Sequence, residues 1–446
     1  MKQKSPRPGF ESWGRYPKLD ANVVPLNWSS DFPLRPPPAT RMLAVGAGRS
    51  YGDVCLLGHG TLLRTRGAGL TGGMDRLLDF NAETGVLCCE AGVTLGEILD
   101  FAVPRGFFLP VTPGTKYVTV GGAIANDIHG KNHHVAGTFG RHVPRFELVR
   151  SDGTQVICTP TEHADWYAAT IGGMGLTGLI AWAEVKLRPI VSRKIQYTGI
   201  KFSGIDEFVA LSEAHAKTEY TVSWIDCVST GKNFARGIFM AGEHSPTPEL
   251  LKRSKEPKLT LPVDLPEFLL NRRTVGLFNT LYANKQRGKT TTARVDYEPF
   301  FYPLDKLLHW NRMYGKSGLL QFQCVVPWEA GQSGLVQILK AITGSGLASF
   351  LAVLKVFGDV PSPGLMSFPK PGITLALDFP IREDVSFDLL ERLAAITLEH
   401  GGRMYPAKDA TMTAEQFQRF YPQWKKFAAY IDPAFDSAFW QRVTGR

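Results

Sequence analysis

Apolar and polar positions follow two rhythms along this chain. Up to about residue 190 the apolar runs are short and broken by glycine clusters. Beyond it, period-two runs of the kind a half-buried sheet needs alternate with stretches spaced as helix faces. In the first part Arg41–Val45 predicts a strand, and residues 76–80 and 85–91 predict a pair turning at Glu83-Thr84-Gly85. Thr94-Leu95-Gly96-Glu97 is a capping box opening a short helix to Val103, which Pro104-Arg105-Gly106 stops. Residues 144–150 and 154–158 flank Ser151-Asp152-Gly153 as a hairpin, followed by a helix near 164–170 and a strand at 179–187. In the second part strands are predicted at 193–202, 220–229, 236–243, 318–326, 350–357 and 373–380. Helices are predicted at 205–217, 329–343 and 385–400, the last ended by Gly401-Gly402. A second capping box, Thr413-x-x-Gln416, opens another helix. The pattern predicts an α+β chain: a first domain over residues 1–190, a second over 191–400 with a largely antiparallel sheet flanked by helices, and a segment 401–446. Residues 1–20 read as an irregular arm carrying Trp13 and Tyr16.

Three glycine clusters stand out in the first part. GAGRSYGD, residues 46–53, follows a strand, as a dinucleotide fingerprint would. Its spacing is G-x-G-x-x-x-G and no amphipathic helix follows, so that fingerprint fails. What remains is a loop in which Arg49, Ser50 and backbone N–H groups can hold a pyrophosphate, or a plain turn. The second cluster, PGTKYVTVGGAIANDIHGKN, spans residues 113–132. Gly121-Gly122, Ala123 and Ala125 run into Asp127, His129 and Lys131, the makings of a glycine loop that beds a flat polar ring beside two cationic side chains. A tight turn at a close-packed crossover is the plainer reading. The third, IGGMGLTGLI, holds Gly172, Gly173, Gly175 and Gly178. Three such loops without a Walker lysine motif argue for one long cofactor cradled by loops, and a flavin dinucleotide has that length.

Composition narrows the class. In 446 residues, 44% hydrophobic and 20% charged is ordinary for a globular protein. No apolar run is long enough to span a bilayer, and the first residues lack the apolar core and the arginine pair of export signals. Six scattered cysteines without C-x-x-C fit a reducing compartment, so a cytoplasmic location is expected. The net charge of +9 gathers between Leu251 and Arg294, where ten Lys/Arg face three acids. No nucleic-acid motif accompanies them, which leaves anionic lipid, a phosphorylated substrate or a solvated loop.

Taken together, GAGRSYGD, PGTKYVTVGGAIANDIHGKNHH, GGMGLTGLI and GGRMYPAKD resemble the decaprenylphosphoryl-β-D-ribose 2′-oxidase family of vanillyl-alcohol-oxidase-type flavoproteins, over about residues 35–435. The resemblance implies a two-subdomain FAD domain completed by residues 401–446, with residues 191–400 covering the flavin ring. It implies oxidation of a sugar hydroxyl to a ketone, the first half of an epimerisation that a separate short-chain NAD(P)-dependent reductase completes. Gly48, Arg49, Ser50, Tyr51 and Gly52 would lie at the pyrophosphate. Pro113, Gly114, Thr115, Gly121, Gly122, Ala125 and His129 would line the flavin, and Gly175 and Gly178 the adenosine side. Tyr405 and Lys408 would also meet the cofactor. Tyr51, Lys131, Trp224, Gln321, Gln323 and Lys355 would meet the substrate. Mycobacterial members of the family carry Asn and Cys in the strand before Asp378-Phe379-Pro380, where this chain has Thr374 and Ala376. Covalent attachment in relatives uses a histidine of the first loop; Arg49, Ser50 and Tyr51 offer none, so non-covalent FAD is expected.

For the chemistry, Lys408, His129 and Tyr405 are the catalytic candidates. Lys408 can hold the reacting hydroxyl and steady a reduced, anionic flavin. It serves as base only if burial lowers its pKa far below about 10.4, whereas His129 needs less perturbation. From spacing alone Trp224, Gln321, Gln323 and Lys355 are as compatible with the solvent face of a sheet. Other readings are an alditol or aldonolactone oxidase acting on a soluble sugar, a flavin-binding protein without turnover, and a metal site at Asp127, His129, His133 and His134, which lacks helix-face spacing. In the basic segment, Pro257, Pro262 and Pro266 argue against one continuous helix. A mobile flap is expected, one that docks peripherally at the inner face of a membrane and covers a lipid-linked sugar.

Overall fold

A computed structural model describes residues 9–67, 72–249, 259–330 and 332–445. Three larger sheets organise them. Strands Asn22–Pro25, Thr61–Arg64 and Met42–Val45 form a parallel sheet. An antiparallel sheet runs Leu77–Asn81, Val86–Glu90, Leu179–Lys186, Phe146–Val149, Gln155–Cys158. The eight-stranded sheet runs Thr290–Asp296, Lys194–Ser203, Arg236–His244, Tyr220–Ile225, Ala352–Phe357, Gly372–Pro380, Leu319–Val326, Arg403–Met404, with every neighbouring pair antiparallel. The architecture is α+β, as the alternation predicts.

Period two decides what each face of the large sheet does. In Leu319–Val326, Leu320, Phe322 and Cys324 point into a core shared with Leu335, Ile338 and Leu339 of the helix Ser333–Gly344 and Leu389, Leu390 and Leu393 of the helix Glu383–Glu399. Gln321 and Gln323 alternate with them and point the other way. Both predicted capping boxes form: Thr94 with Glu97 opens Leu95–Ala102, and Thr413 with Gln416 opens Ala414–Phe420.

Two stretches differ from expectation. Gly121-Gly122 lies in the first turn of a short helix, Val120–Ala125, rather than in an open loop. Thr119 caps it by accepting from the Gly122 N–H at 3.2 Å, and the Gly121 N–H is spent on the Ala91 carbonyl at 2.8 Å. Gly46 lets the first glycine loop pass against this cap: a Cβ there would stand 2.3 Å from Thr119 Oγ1. In the basic segment, a 14-residue helix, Arg272–Lys285, starts after the last proline, and Thr290–Asp296 becomes an edge strand of the large sheet. Leu251, Lys252, Arg253, Lys255 and Lys258 lie outside the described residues.

Residues 430–442 return to the first sheet. The Asp432 carboxylate accepts from the Ser151 backbone at 2.7 Å and its hydroxyl at 2.5 Å. Met42 pairs with Ala434 and Asp436 through its own N–H and carbonyl.

Candidate active site

The face of the large sheet that the helices leave free closes over the glycine loops and the helix Val120–Ala125. Between them runs a cavity of about 690 Å³. Register explains its ceiling. Gln323, Ala376, Val353, Trp224 and Ile238 are successive cross-strand partners, and all border the cavity. One pleat to one side of that row Gln321 borders it, and one pleat to the other side Lys355, Val222 and Met240 border it too. The polar positions that could have been a solvent face are a buried, cavity-lining one. Opposite stand Gly48, Arg49, Ser50 and Tyr51 from the first loop, and Pro113, Gly114 and Thr115 with Gly121, Gly122, Ala125, His129 and Lys131 from the second stretch. Gly175 and Gly178 come from the third, and Tyr405 and Lys408 from the segment after Arg403–Met404.

Two expected residues lie outside the lining. Gly52 packs on backbone instead: a Cβ there would stand 1.7 Å from the Asp409 carbonyl oxygen, so the position requires glycine for packing. Thr374 sits behind Gln323, whose amide nitrogen donates to Thr374 Oγ1 at 3.3 Å.

The Gln323 amide nitrogen also donates to His129 Nε2, at 2.9 Å. His129 therefore carries its proton on Nδ1, which finds no partner among the described residues. Its ring is boxed by Phe357 at 4.8 Å, Tyr405 at 5.3 Å and Phe368 at 5.7 Å. Burial, then Lys355, His133 and Lys408, push its pKa well below the usual histidine value, so it is neutral. Burial holds the Tyr405 hydroxyl well above its ordinary value, and it donates to the Asn126 carbonyl at 2.8 Å.

The lysines feel the same burial. It brings Lys355 down to about 7, with Lys131 and Lys408 adding repulsion, and Lys131 down to about 8. Lys408 Nζ lies 3.9 Å from the centre of the Tyr51 ring. Burial lowers its pKa and Asp378 opposes the fall. Asp378 is fully buried, cross-strand from Gln321, whose amide donates to it. Burial raises this carboxyl, and the Gln321 hydrogen bond and Lys408 oppose that.

Of the residues weighed as a metal cluster, Asp127 and His134 are engaged separately, while neither ring nitrogen of His133 has a partner among the described residues. Asp127 accepts from Ser367 at 2.5 Å and from the Gly140 N–H at 2.9 Å, and His134 Nε2 meets the Thr218 carbonyl at 2.8 Å. His133 packs on Phe357 with ring centres 4.5 Å apart.

Comparison with known proteins completes the picture. Residues 39–159, which hold the first two glycine stretches, match the FAD binding domain family. Decaprenylphosphoryl-beta-D-ribose oxidase of Mycolicibacterium smegmatis is 36% identical over 406 residues, 88% of this chain and 86% of that protein. The chain belongs to this oxidase family. An uncharacterised Streptomyces coelicolor protein is 31% identical over 77% of this chain and 96% of its own length. Human Delta(24)-sterol reductase is 31% identical over 25% of this chain.

This FAD-dependent oxidoreductase has a lining whose donor set suits its cofactor. Arg49, Lys131, Lys285, Lys355 and Lys408 border the cavity against one acid, Asp305. Buried Arg49 Nε, Asn126 Oδ1 and His129 Nδ1 have no partner among the described residues. Such atoms are costly to bury unpaired and await a polar ligand. When bound, FAD supplies the two-electron acceptor. Several lining residues carried no sequence signal. Trp13 of the arm stacks on Arg49 at 4.2 Å, and Asp305 opposes its charge from a loop 256 positions away. Lys285 and Tyr282 arrive on the unexpected helix.

Proposed function

We propose that the protein oxidises a secondary hydroxyl of a polyprenyl-phosphate-linked ribose to a keto sugar, and that a separate short-chain NAD(P)-dependent reductase completes an epimerisation. Residues 1–190 and 401–446 would hold FAD without a covalent link, and residues 191–400 would cover the ring and bind substrate. The observation that carries the reading is the cluster of Lys131, Lys355 and Lys408 beside Gln321 and Gln323 on the cavity ceiling. It offers cations for a phosphate and amides for sugar hydroxyls at one place.

In this reading Lys355 and Lys131 face the sugar phosphate. The Gln323 amide nitrogen is committed to His129 and Thr374, which leaves its carbonyl oxygen to accept from a sugar hydroxyl. Lys408 takes the proton of the reacting hydroxyl in its neutral form, which burial makes accessible. Once protonated, it stands as a cation where negative charge gathers, with Asp378 behind it. His129 acts as a positioning residue for Gln323. Its buried ring, close to three basic groups, is a poor place to leave an imidazolium.

The test is anaerobic bleaching of the flavin band of the holoenzyme. A short-chain prenylphosphoryl ribose should bleach it, and alditols or aldonolactones should not. Bleaching by an alditol alone would favour a soluble-sugar oxidase. Bound flavin that no sugar bleaches would leave a flavin-binding protein. Acid precipitation should release the flavin to the supernatant, since the first loop offers no linking histidine.

A further inference from the structure

Exposed apolar side chains are scattered over most of the described surface, but one stretch gathers them. Leu259, Val263, Phe268, Leu269, Leu277, Phe278 and Leu281 are all exposed, and all fall between residues 259 and 281. Phe268 is 73% exposed, Leu277 62% and Leu281 63%. Leu277 and Leu281 are four apart on the helix Arg272–Lys285, so they share one face. The adjacent Tyr282 and Lys285 turn toward the cavity. Tyr282 and Lys285 line it, and Tyr282 packs on Trp224 with ring centres 4.9 Å apart. One helix thus forms both the rim of the substrate cavity and an apolar face left exposed among the described residues.

The charge around that face is predominantly positive. Residues 259–295 contain six Lys/Arg against Asp264, which pairs with Arg15, and Glu267. Arg272 is turned inward to the Thr343 and Val228 carbonyls, Lys289 pairs with Glu207, and Arg294 with Glu249. Arg273, Lys285 and Arg287 are exposed. Apolar side chains between exposed cations suit the boundary of an anionic bilayer, where acyl chains receive the leucines and phosphates receive the cations. No described helix is long and apolar enough to cross a membrane.

We propose that the helix Arg272–Lys285 and the turn before it dock the enzyme on an anionic bilayer, so that the cavity opens at the membrane surface. Phe268, Leu277 and Leu281 enter the acyl boundary, and Arg273 and Arg287 meet headgroup phosphates. On the lipid-linked-sugar reading, on which this placement of the cavity rests, the prenyl chain stays in the bilayer while the sugar reaches Lys355.

The experiment is co-sedimentation of the holoenzyme with vesicles of phosphatidylglycerol and phosphatidylcholine, compared with pure phosphatidylcholine, at low and high salt. Three forms are used: the unaltered protein, Leu277→Ser/Leu281→Ser, and Arg273→Gln/Arg287→Gln. Each form is also assayed on the soluble short-chain substrate without vesicles. The unaltered protein should sediment with anionic vesicles at low salt, and less at high salt. The leucine variant should lose about tenfold or more in partitioning, and the arginine variant should lose most of the salt-sensitive part. Both should keep flavin and soluble-substrate activity. Absent sedimentation, equal binding to neutral vesicles, or binding indifferent to both variants would overturn the proposal. So would concentration-dependent self-association without vesicles that the leucine variant abolishes, because the face would then join two copies. If no form oxidises the soluble substrate while vesicle binding behaves as expected, the substrate reading fails and the docking surface stands.

Discussion

Arg442 offers the sharpest test of how this active site is held. Its guanidinium donates to both carboxylate oxygens of Asp53 at 2.8 Å and to Asp409 at 2.9 Å. The side chains of Asp53 and Asp409 are 4% and 1% exposed. Asp53 opens the turn after the first glycine loop, and Asp409 follows Lys408, so one arginine joins two walls of the cavity. At an effective dielectric of about 20, each pairing at this distance is worth about 6 kcal/mol of gross attraction. Desolvation offsets most of that, but removing the arginine leaves two buried carboxylates uncompensated. The expected loss for Arg442→Met is about 3–5 kcal/mol. Burial holds Asp53 above its ordinary value despite the guanidinium, while the two carboxylates hold Arg442 far above its own. The sign of the pH dependence follows. Without Arg442 the Asp53 carboxyl rises further in the folded state, and protonation relieves it. The deficit is therefore full at neutral pH and narrows as pH falls through that raised value. Denaturant unfolding followed by tryptophan fluorescence measures the loss, with Trp440 buried two positions away. Adding Asp53→Asn and Asp409→Asn should restore part of it. A loss under about 1 kcal/mol, as for an exposed ion pair, with no change across pH, would refute the reasoning.

Three further outcomes are expected. Lys408→Met should keep flavin but slow anaerobic reduction by about 10²–10³-fold; in the unaltered protein reduction should rise with pH, and Asp378→Asn should move that limb to lower pH, because Asp378 supports the lysine's charge. A limb that stays put in Asp378→Asn but vanishes in His129→Ala would transfer the base role to His129. Lys355, at about 7, is charged only below that pH, so KM for a phosphorylated substrate should climb as pH rises through 7, and Lys355→Arg should flatten the climb. An unchanged climb in Lys355→Met would assign it elsewhere. Gly52→Ala should lose flavin during purification, since its methyl would meet the Asp409 carbonyl; a yellow, stable variant would show that the two loops can part without consequence.

Much of the fold is legible because alternation is a local signal. Gln321 and Gln323 between Leu320, Phe322 and Cys324 mark a strand with two unlike faces, whatever the second face meets. Which partner that face meets is a long-range fact, so solvent and cavity remained equal readings. The helix at Gly121-Gly122 was hidden because glycine is a poor helix former; the Thr119 cap and close packing against Ala91 outweigh propensity. Arg272–Lys285 was hidden behind prolines that lie upstream of it and a charge density that masks its apolar stripe. Trp13 and Asp305 converge on Arg49 from distant parts of the chain, and nothing in their own neighbourhoods marks them.

The return of residues 430–442 to the first sheet has a consequence for biosynthesis. Glycine loops made early, at 46–52 and 113–130, wait for Ala434 to pair with Met42, Asp432 to bind Ser151 and Arg442 to join Asp53. A chain still on the ribosome at residue 430 has all its glycine stretches and almost all of its large sheet, yet lacks the strap that binds them. Cofactor loading is therefore a late event, and a nick or premature stop in that strap should yield a colourless protein rather than a slower enzyme.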